Sequence, residues 1–502
     1  MGDFSFRRFV QDLRLLIDTL SDHGVTNIRQ FLIWIRSAEI STRIIDYLRS
    51  HSGLQSVIYW AAAFSVGLVA VVYAWLFHQV SVSAQSLAAS KPALFFLFSP
   101  ACFVLSWWLV YRFAPGAAGS GIPQVMAALE VEAASASRWV SVRIAVVKFF
   151  SSLICALGGG AIGREGPTIQ IAASIFYCLG MPFRKIWASL SHQALLVAGG
   201  AAGIAAAFNT PLGGIVFAVE ELAQAHFNRF KTFLISAVII SGLVAQWILG
   251  PYLYFGYPKI ADVDFWVFPW ALFMGLVCGI GGGVFGRILV WIYRHMSGLS
   301  FNRQWKIAIA AGLLMALCAW GLGVEVLGGG NEMMSRILFE QDRHLPGTVA
   351  IGRFIGPLIS YAAGGAGGIF APSLAAGAAF GAKISQWFQS VYPNLLVLMG
   401  MVGFLSAVTR APFTAFVLVL EMTDRHSAIF PLMVAALTAY LVARLIDPKS
   451  FYEHRAAGFL QTARAADAIE ALRKKRELTE RSGNPSSGPV RRPDEDPFPP
   501  SD

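Results

Sequence analysis

The chain has 502 residues, of which 56% are hydrophobic and only 14% are charged, and its mean hydropathy is +0.59. A soluble protein carries roughly 25% charged residues. This chain therefore has too few charges to cover its apolar residues with a polar surface, and we expect a multi-pass membrane protein. The net charge of +10 fits Lys and Arg on cytoplasmic loops, so it does not indicate a nucleic-acid partner.

The predicted elements begin with a cytoplasmic segment and continue with membrane-spanning helices. Residues 1–55 mix charges with apolar residues at helical spacing, which predicts amphipathic helices. A helix needs about 20 apolar residues to cross a bilayer, and runs of this length predict an all-α protein. The runs are 57–77, 93–111, 232–249, 265–293, 306–322 and 429–446.

Between these runs, Gly and Pro interrupt other apolar stretches at 158–167, 200–221, 364–372 and 407–421. A helix that breaks at membrane depth exposes backbone groups, so such breaks are expected where they border a cavity or a ligand site. The breaks also repeat, because Pro211 precedes Glu220 by the same nine positions that separate Pro412 from Glu421. The sequence thus predicts a transporter with two similar halves, residues 56–257 and 258–456, and spacing alone leaves their relative orientation open.

Residues 457–502 are predicted to form a largely disordered cytoplasmic tail, because the chain turns polar after Tyr452 and becomes rich in Pro, Ser, Arg and Asp from Arg476. About fifty residues are too few for a sizeable soluble domain. The five cysteines are widely spaced singletons, and we expect no disulfide, metal site or cofactor from them.

Three Gly/Pro segments indicate a binding site for an anion: GSGIP at 119–123, GREGP at 163–167 and GIFAP at 368–372. Proline is favoured in the first turn of a helix, so each segment is predicted to bring a helix N-terminus into the membrane. Several N-termini that meet would bind an anion through backbone N–H groups and the positive helix ends. The alternative is that all three are only tight turns between packed helices.

Two enzyme-like patterns lead to weaker hypotheses. The segment AGSG at 118–121 is close to the GxSG of intramembrane serine proteases, so an intramembrane hydrolase is a distant alternative. GGGAIG at 158–163 matches a dinucleotide-binding pattern, but it follows a membrane-length apolar run and not a strand. We therefore do not expect the chain to be an enzyme.

Taken together, GSGIP, GREGP, GGIFAP at 367–372, FNTPLGGIVFAVEE at 208–221 and Tyr452 resemble the signature set of the CLC family of chloride channels and chloride/proton antiporters. The resemblance spans roughly residues 56–456. It implies a homodimer with one anion pathway per subunit, two inverted repeats with discontinuous helices, both termini in the cytoplasm, and a location in a bacterial inner membrane. The tail is too short for the nucleotide-sensing domains that many members carry.

The resemblance also implies the residues of the pathway. The hydroxyls of Ser120 and Tyr452 and the amides of Ile369 and Phe370 would hold a central chloride, while Gly163, Arg164, Gly166 and Ala371 would surround an outer site. Glu165 would be a gate, since a deprotonated carboxylate competes with chloride for the same positive helix end. Glu221 fills the position of the internal proton-transfer group of the family's antiporters.

These residues favour a chloride/proton antiporter, with a passive chloride channel of the same family as the alternative. One departure concerns Gln124 and Met126, which stand where well-known bacterial antiporters have acidic residues. Lys148 is a basic residue in an apolar stretch, and we expect it to have a buried partner that the sequence does not identify.

Overall fold

The computed structural model describes residues 55–187, 190–222, 227–250, 254–260, 262–340, 344–423 and 426–481, so the amphipathic helices predicted for 1–55 lie almost wholly outside it. Within these ranges the chain forms eighteen α-helices and no strand. The helices are α1 (Gln55–Ser90), α2 (Pro92–Phe113), α3 (Ile122–Leu129), α4 (Ala133–Ala136), α5 (Val142–Leu157), α6 (Glu165–Gly180), α7 (His192–Phe208), α8 (Pro211–Phe217), α9 (Phe227–Leu249), α10 (Val267–Met296), α11 (Phe301–Leu322), α12 (Asn331–Phe339), α13 (Gly347–Ala362), α14 (Phe370–Trp387), α15 (Pro393–Thr409), α16 (Pro412–Thr423), α17 (Ile429–Ile446) and α18 (Phe451–Arg481).

Six of the described helices are long and apolar enough to cross a membrane, namely α1, α2, α9, α10, α11 and α17. They coincide with the six predicted runs, and the prediction of a multi-pass, all-α protein is confirmed. Helix α1 is longer than its apolar run, since it continues through a more polar stretch to Ser90. The break falls at Lys91, directly before Pro92, because proline disfavours helical backbone in the residue that precedes it.

The interior consists of shorter helices. Helices α7, α14 and α15 have 17, 18 and 17 residues, and nearly all of their side chains are buried. Helices α7 and α14 are rich in Ala and Gly, which lets neighbouring helices approach closely where no water drives association. Longer helices such as α10 and α17 pack around them, so the chain breaks that surround α7 and α14 lie inside the protein.

The tail differs from the prediction of disorder over 457–502, because α18 continues without interruption to Arg481. Its sequence from Thr462 to Glu477 is dominated by Ala, Arg, Lys, Glu and Leu, all strong helix formers. Arg138 also forms an ion pair with Asp467, which fastens the helix to the membrane part. Composition therefore predicted the polar character of this stretch correctly, but it did not predict that the stretch is helical as far as Arg481. Residues 482–502 lie outside the described part.

Candidate functional site

Three helix N-termini meet at the centre of the protein, as the Gly/Pro segments predict. Helices α3, α6 and α14 begin at Ile122, Glu165 and Phe370. The loops before them are joined by two isolated β-bridges, one between Gly119 and Ala366 and one between Gly163 and Gly368. Because the loops hydrogen-bond to each other, the three positive helix ends are fixed around one small region.

Ser120 and Tyr452 place two hydroxyl groups in this region. Ser120 is 3% exposed and Tyr452 is 1% exposed, and neither hydroxyl has a hydrogen-bond partner among the described residues. The two side chains are close enough to interact with each other. A buried hydroxyl without a partner is uncommon in proteins, and two that face each other indicate a binding position for a ligand that accepts hydrogen bonds.

Gly166 lies against Ser120 and keeps this space open. A Cβ atom at Gly166 would fall 2.6 Å from both the Oγ and the carbonyl oxygen of Ser120. Any larger residue would therefore displace Ser120 or helix α6. The requirement for glycine at the first turn of α6 is thus a consequence of the close approach between the loop before α3 and helix α6.

The first turn of α14 supplies the backbone amides. Ile369 precedes the helix, and its carbonyl accepts from the N–H and the hydroxyl of Ser373. The amides of Ile369, Phe370 and Ala371 lie at the end of the helix where N–H groups have no carbonyl one turn earlier to bind. The Phe370 ring packs against Phe208 with a centroid distance of 5.7 Å, which anchors this turn.

Glu165 is the first residue of α6 and is 1% exposed. Its carboxylate faces the backbone N–H of Ala371 at the start of α14, and its Oε2 has no hydrogen-bond partner among the described residues. The nearest cation is Arg164, whose Nε is 4.0 Å from Glu165 Oε1. A carboxylate is therefore buried at a positive helix end, where the sequence analysis placed a gate.

Arg164 is itself held away from the helix end. Its guanidinium donates to the carbonyls of Ala74, at 3.0 Å, and Ala207, at 3.4 Å. It also lies over the ring of Tyr254, 5.7 Å from the ring centroid. Arg164 thus lies beside the carboxylate of Glu165 without forming a close ion pair with it. A close ion pair would hold that carboxylate in one position.

Lys148 and Gln124, which the sequence left without an explanation, both hold the loop before α3. The Lys148 ammonium is fully buried and donates to the carbonyls of Ala117, at 2.8 Å, and Gly119, at 2.7 Å. Gln124 accepts from the N–H of Gly121 and donates to the carbonyl of Ala118. The buried partner expected for Lys148 is thus a pair of carbonyls, and the amide of Gln124 closes the loop that presents Ser120.

Glu220 and Glu221 are adjacent in the chain, and their carboxylates have different surroundings. They lie in a π-helical turn, Ala218–Leu222, which the sequence analysis did not predict. Glu221 is 8% exposed and its Oε1 has no hydrogen-bond partner among the described residues. Glu220 instead accepts from the N–H groups of Phe413 and Thr414 at the start of α16.

Glu421 makes the reciprocal contact, which the sequence did not predict. Its carboxylate accepts from the N–H groups of Leu212, at 3.1 Å, and Gly213, at 2.8 Å, at the start of α8. Glu421 therefore caps α8, which begins nine residues before Glu220. Glu220 caps α16, which begins nine residues before Glu421. The equal spacing of Pro211–Glu220 and Pro412–Glu421 predicted two similar halves, and it is the one sequence signal that could have indicated this pair.

Three cavities border residues of the candidate site or their neighbours, and we name each after one residue in its wall. The Glu165 cavity has a volume of about 230 Å³ and is lined also by Arg164 and Ala371. The Glu221 cavity is the largest, about 1140 Å³, and Glu453 and Leu460 of α18 form part of its wall. The Arg455 cavity, about 260 Å³, reaches Gly119, beside Ser120.

Comparison with known proteins gives consistent results. The family model described as voltage gated chloride channel matches residues 102–444. The H+/Cl− exchange transporter ClcA of Cronobacter sakazakii is 33% identical over an alignment of 380 residues, and the match covers 72% of this chain and 78% of that protein. The crystal structure of a slow cyanobacterial Cl−/H+ antiporter matches with a TM-score of 0.72 and 26% identity over 81% of this chain and 98% of that one. A eukaryotic CLC transporter, at 20% identity and a TM-score of 0.67 over 82% of this chain and 74% of that one, has the same fold.

Proposed function

The chain belongs to the voltage-gated chloride channel family, the CLC family, and we propose that it exchanges chloride for protons across a membrane. The observation that carries this proposal is a set of buried polar atoms without hydrogen-bond partners among the described residues: Ser120 Oγ, Tyr452 Oη, Glu165 Oε2 and Glu221 Oε1. Tyr452 lies within electrostatic range of both glutamates. Two donors for an anion thus lie between two groups that can carry a proton.

In the proposed mechanism, chloride binds between Ser120 and Tyr452 and the amides of Ile369 and Phe370. Hydroxyl and amide donors supply partial positive charge, so they bind an anion without trapping it as a fixed cation would. An outer position lies near Gly163, Arg164, Gly166 and Ala371, and the Glu165 carboxylate occupies it when deprotonated. Protonation removes the negative charge of Glu165, which then leaves the helix end and lets chloride take its place.

Protons take a separate branch through Glu221. This buried carboxylate lies in the wall of a cavity that α18 borders, and the Arg455 cavity, which α18 also borders, reaches Gly119, the residue before Ser120. A proton that enters through the Glu221 cavity therefore need not pass the anion's path before it reaches the region of Tyr452. Movement between Glu221 and Glu165 then couples proton transfer to the opening of the gate.

We also propose that the protein is a homodimer in a bacterial inner membrane, with α18 and both termini in the cytoplasm. Leu212 is 62% exposed and Phe413 is 58% exposed, and they stand at the N-termini that Glu421 and Glu220 cap. It is energetically unfavourable for carboxylates at the edge of an exposed apolar surface to contact lipid. Contact of this surface with a second copy of the chain is therefore more favourable than contact with lipid.

The test compares the wild type with Glu165→Gln in liposomes. In the wild type, a chloride gradient should drive protons against their own gradient. The variant should still move chloride but should move no protons, because its amide copies the protonated carboxyl and cannot titrate. Chloride-driven proton movement in Glu165→Gln would contradict the assignment of the gate, and a wild type that moves chloride without protons would favour a passive channel.

A further inference from the structure

Arg455 is a buried cation that the exchange mechanism above does not use. It is 7% exposed and lies on α18, three residues after Tyr452, so both side chains project from the same face of the helix. No carboxylate lies within ion-pair distance of it among the described residues. A cation inside a membrane protein is costly without a counter-charge, so the lack of an acidic partner calls for an explanation.

Aromatic rings hold the guanidinium in place. It lies 3.6 Å from the ring centroid of Tyr293 and 4.5 Å from that of Phe459. Tyr293 also packs against Gly458, where a Cβ would overlap its hydroxyl. The ring faces attract the cation and orient it, but they carry no net charge and leave the positive charge of Arg455 uncompensated.

The uncompensated charge faces the Arg455 cavity. The wall of this cavity includes Trp107, Tyr111, Gln304 and Tyr361, and Arg455 is the single charged residue among the described residues that line it. With aromatic walls, one cation and no carboxylate, the cavity repels cations weakly and attracts anions strongly. Its volume of about 260 Å³ is ample for a partly hydrated monovalent anion.

The cavity reaches Gly119, the residue that precedes Ser120 of the proposed chloride site. The Tyr361 ring packs on Gly119, the residue before Ser120, and the Tyr361 hydroxyl interacts with Arg455. Lys148, on the other side of the same loop, binds the Gly119 carbonyl. An anion beside Arg455 would thus be separated from Ser120 only by Tyr361 and Gly119.

We propose that Arg455 forms an anion-recruiting site, which collects the transported monovalent anion on the α18 side before it reaches Ser120 and Tyr452. This inference rests on the proposed function, since it assumes that Ser120 and Tyr452 bind the same anion. Arg455 is a positioning residue in this account, because it raises the local concentration of the anion. The competing explanation is that Arg455 only fastens α18 to α10 through its aromatic contacts.

The first test uses transport kinetics of the full chain in liposomes. Arg455→Gln should raise the KM for chloride about threefold to tenfold and leave the maximal rate within about twofold, because one steering charge is lost. Arg455→Lys should restore most of the affinity. The matched control is Arg138→Gln, whose guanidinium pairs with Asp467 and lines none of the three cavities, and its KM should equal that of the wild type.

A lower maximal rate at unchanged KM in both Arg455 variants would overturn the inference and leave only the fastening role. The second test needs no variant: crystals of the wild-type chain in bromide should show anomalous scattering beside the Arg455 guanidinium. Absence of that peak, with bromide present between Ser120 and Tyr452, overturns the recruiting site alone. Absence of bromide between Ser120 and Tyr452 overturns the proposed function instead, so the two failures are distinguishable.

Discussion

At the scale of single residues, the site consists of two kinds of residue. Some carry buried polar atoms that have no hydrogen-bond partner among the described residues, and others hold these residues in position. The sequence predicted the first kind, Ser120, Glu165, Glu221 and Tyr452, because Gly/Pro segments and family motifs mark them. It did not predict the second kind, such as Lys148. Its contacts with the carbonyls of Ala117 and Gly119 join residues about thirty positions apart, and a spacing pattern carries no information about such contacts.

One residue-scale prediction separates the neighbouring glutamates. Glu221→Gln should impair proton transport and leave chloride binding largely intact, since this carboxylate lines the Glu221 cavity and not the Arg455 cavity. Glu220→Gln is the matched control, because it removes the charge but keeps one of the two oxygens that accept from the N–H groups at the start of α16, and it should retain coupling. Proton and chloride fluxes in liposomes check both. Unchanged chloride-coupled proton flux in Glu221→Gln would show that the residue is only a helix-end carboxylate.

A second residue-scale prediction concerns the two hydroxyls. Ser120→Ala and Tyr452→Phe each remove one neutral donor, which should cost about 0.5–1.5 kcal/mol of anion binding, at most about tenfold in affinity. Chloride titration calorimetry of the purified protein measures this. The control is Thr423→Val, because the Thr423 hydroxyl is buried but bonds the Val419 carbonyl, far from the site in sequence. Wild-type chloride affinity in both hydroxyl variants would remove Ser120 and Tyr452 from the anion site.

A third residue-scale prediction concerns Lys148. In Lys148→Met the carbonyl of Ala117 loses its buried donor, while the carbonyl of Gly119 keeps the N–H of Gly367, and a carbonyl left unsatisfied costs about 1–3 kcal/mol. We expect a lower unfolding temperature and weaker chloride binding, since the loop that carries Ser120 is released. Differential scanning calorimetry and chloride titration measure the two effects. A variant with wild-type stability would mean that these two hydrogen bonds do not hold the loop.

At the scale of helices and turns, proline and glycine identify where helices start, but they do not identify the groups that hydrogen-bond to the helix ends. The starts of α3, α6 and α14 followed from the sequence because Pro lies in the first turn of each. The β-bridges between their loops, and the π-helical turn at Glu220 and Glu221, did not follow. Both depend on how distant segments pack, so local sequence preference cannot determine them.

The reciprocal carboxylate caps give a prediction at this scale. Glu421→Ala removes two charge-assisted hydrogen bonds from the start of α8 and should lower stability by about 2 kcal/mol or more. The control is Glu132→Ala, because Glu132 precedes α4 and makes no side-chain cap bond. Thermal unfolding of both variants in the same detergent provides the comparison. Equal unfolding temperatures would mean that α8 does not depend on the cap from Glu421.

At the scale of the whole molecule, apolar length predicted all six long helices, since crossing a bilayer imposes a length that any sequence must meet. The assignment of residues 56–257 and 258–456 to two repeats stays a prediction, which the reciprocal contacts of Glu220 and Glu421 support. The helical tail was missed, because polarity alone does not distinguish a solvated helix from a disordered segment.

The dimer proposal has a direct test at this scale. Leu212→Trp combined with Val219→Trp enlarges one face of α8 and the turn after it, and should convert a dimer into monomers. Trp is tolerated against lipid, so Leu97→Trp on α2, where Leu97 is 74% exposed, should leave the oligomeric state unchanged. Single-molecule photobleaching in liposomes counts the subunits. A double variant that remains dimeric would place the interface elsewhere.

The central claim is that chloride and proton movements are coupled, and the reversal potential of the wild-type protein tests it most directly. In a planar bilayer with a fixed chloride gradient, the pH on one side is changed while the current is recorded. Coupled exchange predicts that the reversal potential shifts with the pH gradient, because each transport cycle moves both ions. A reversal potential that follows the chloride gradient alone, whatever the pH gradient, would contradict the exchanger and identify a passive channel.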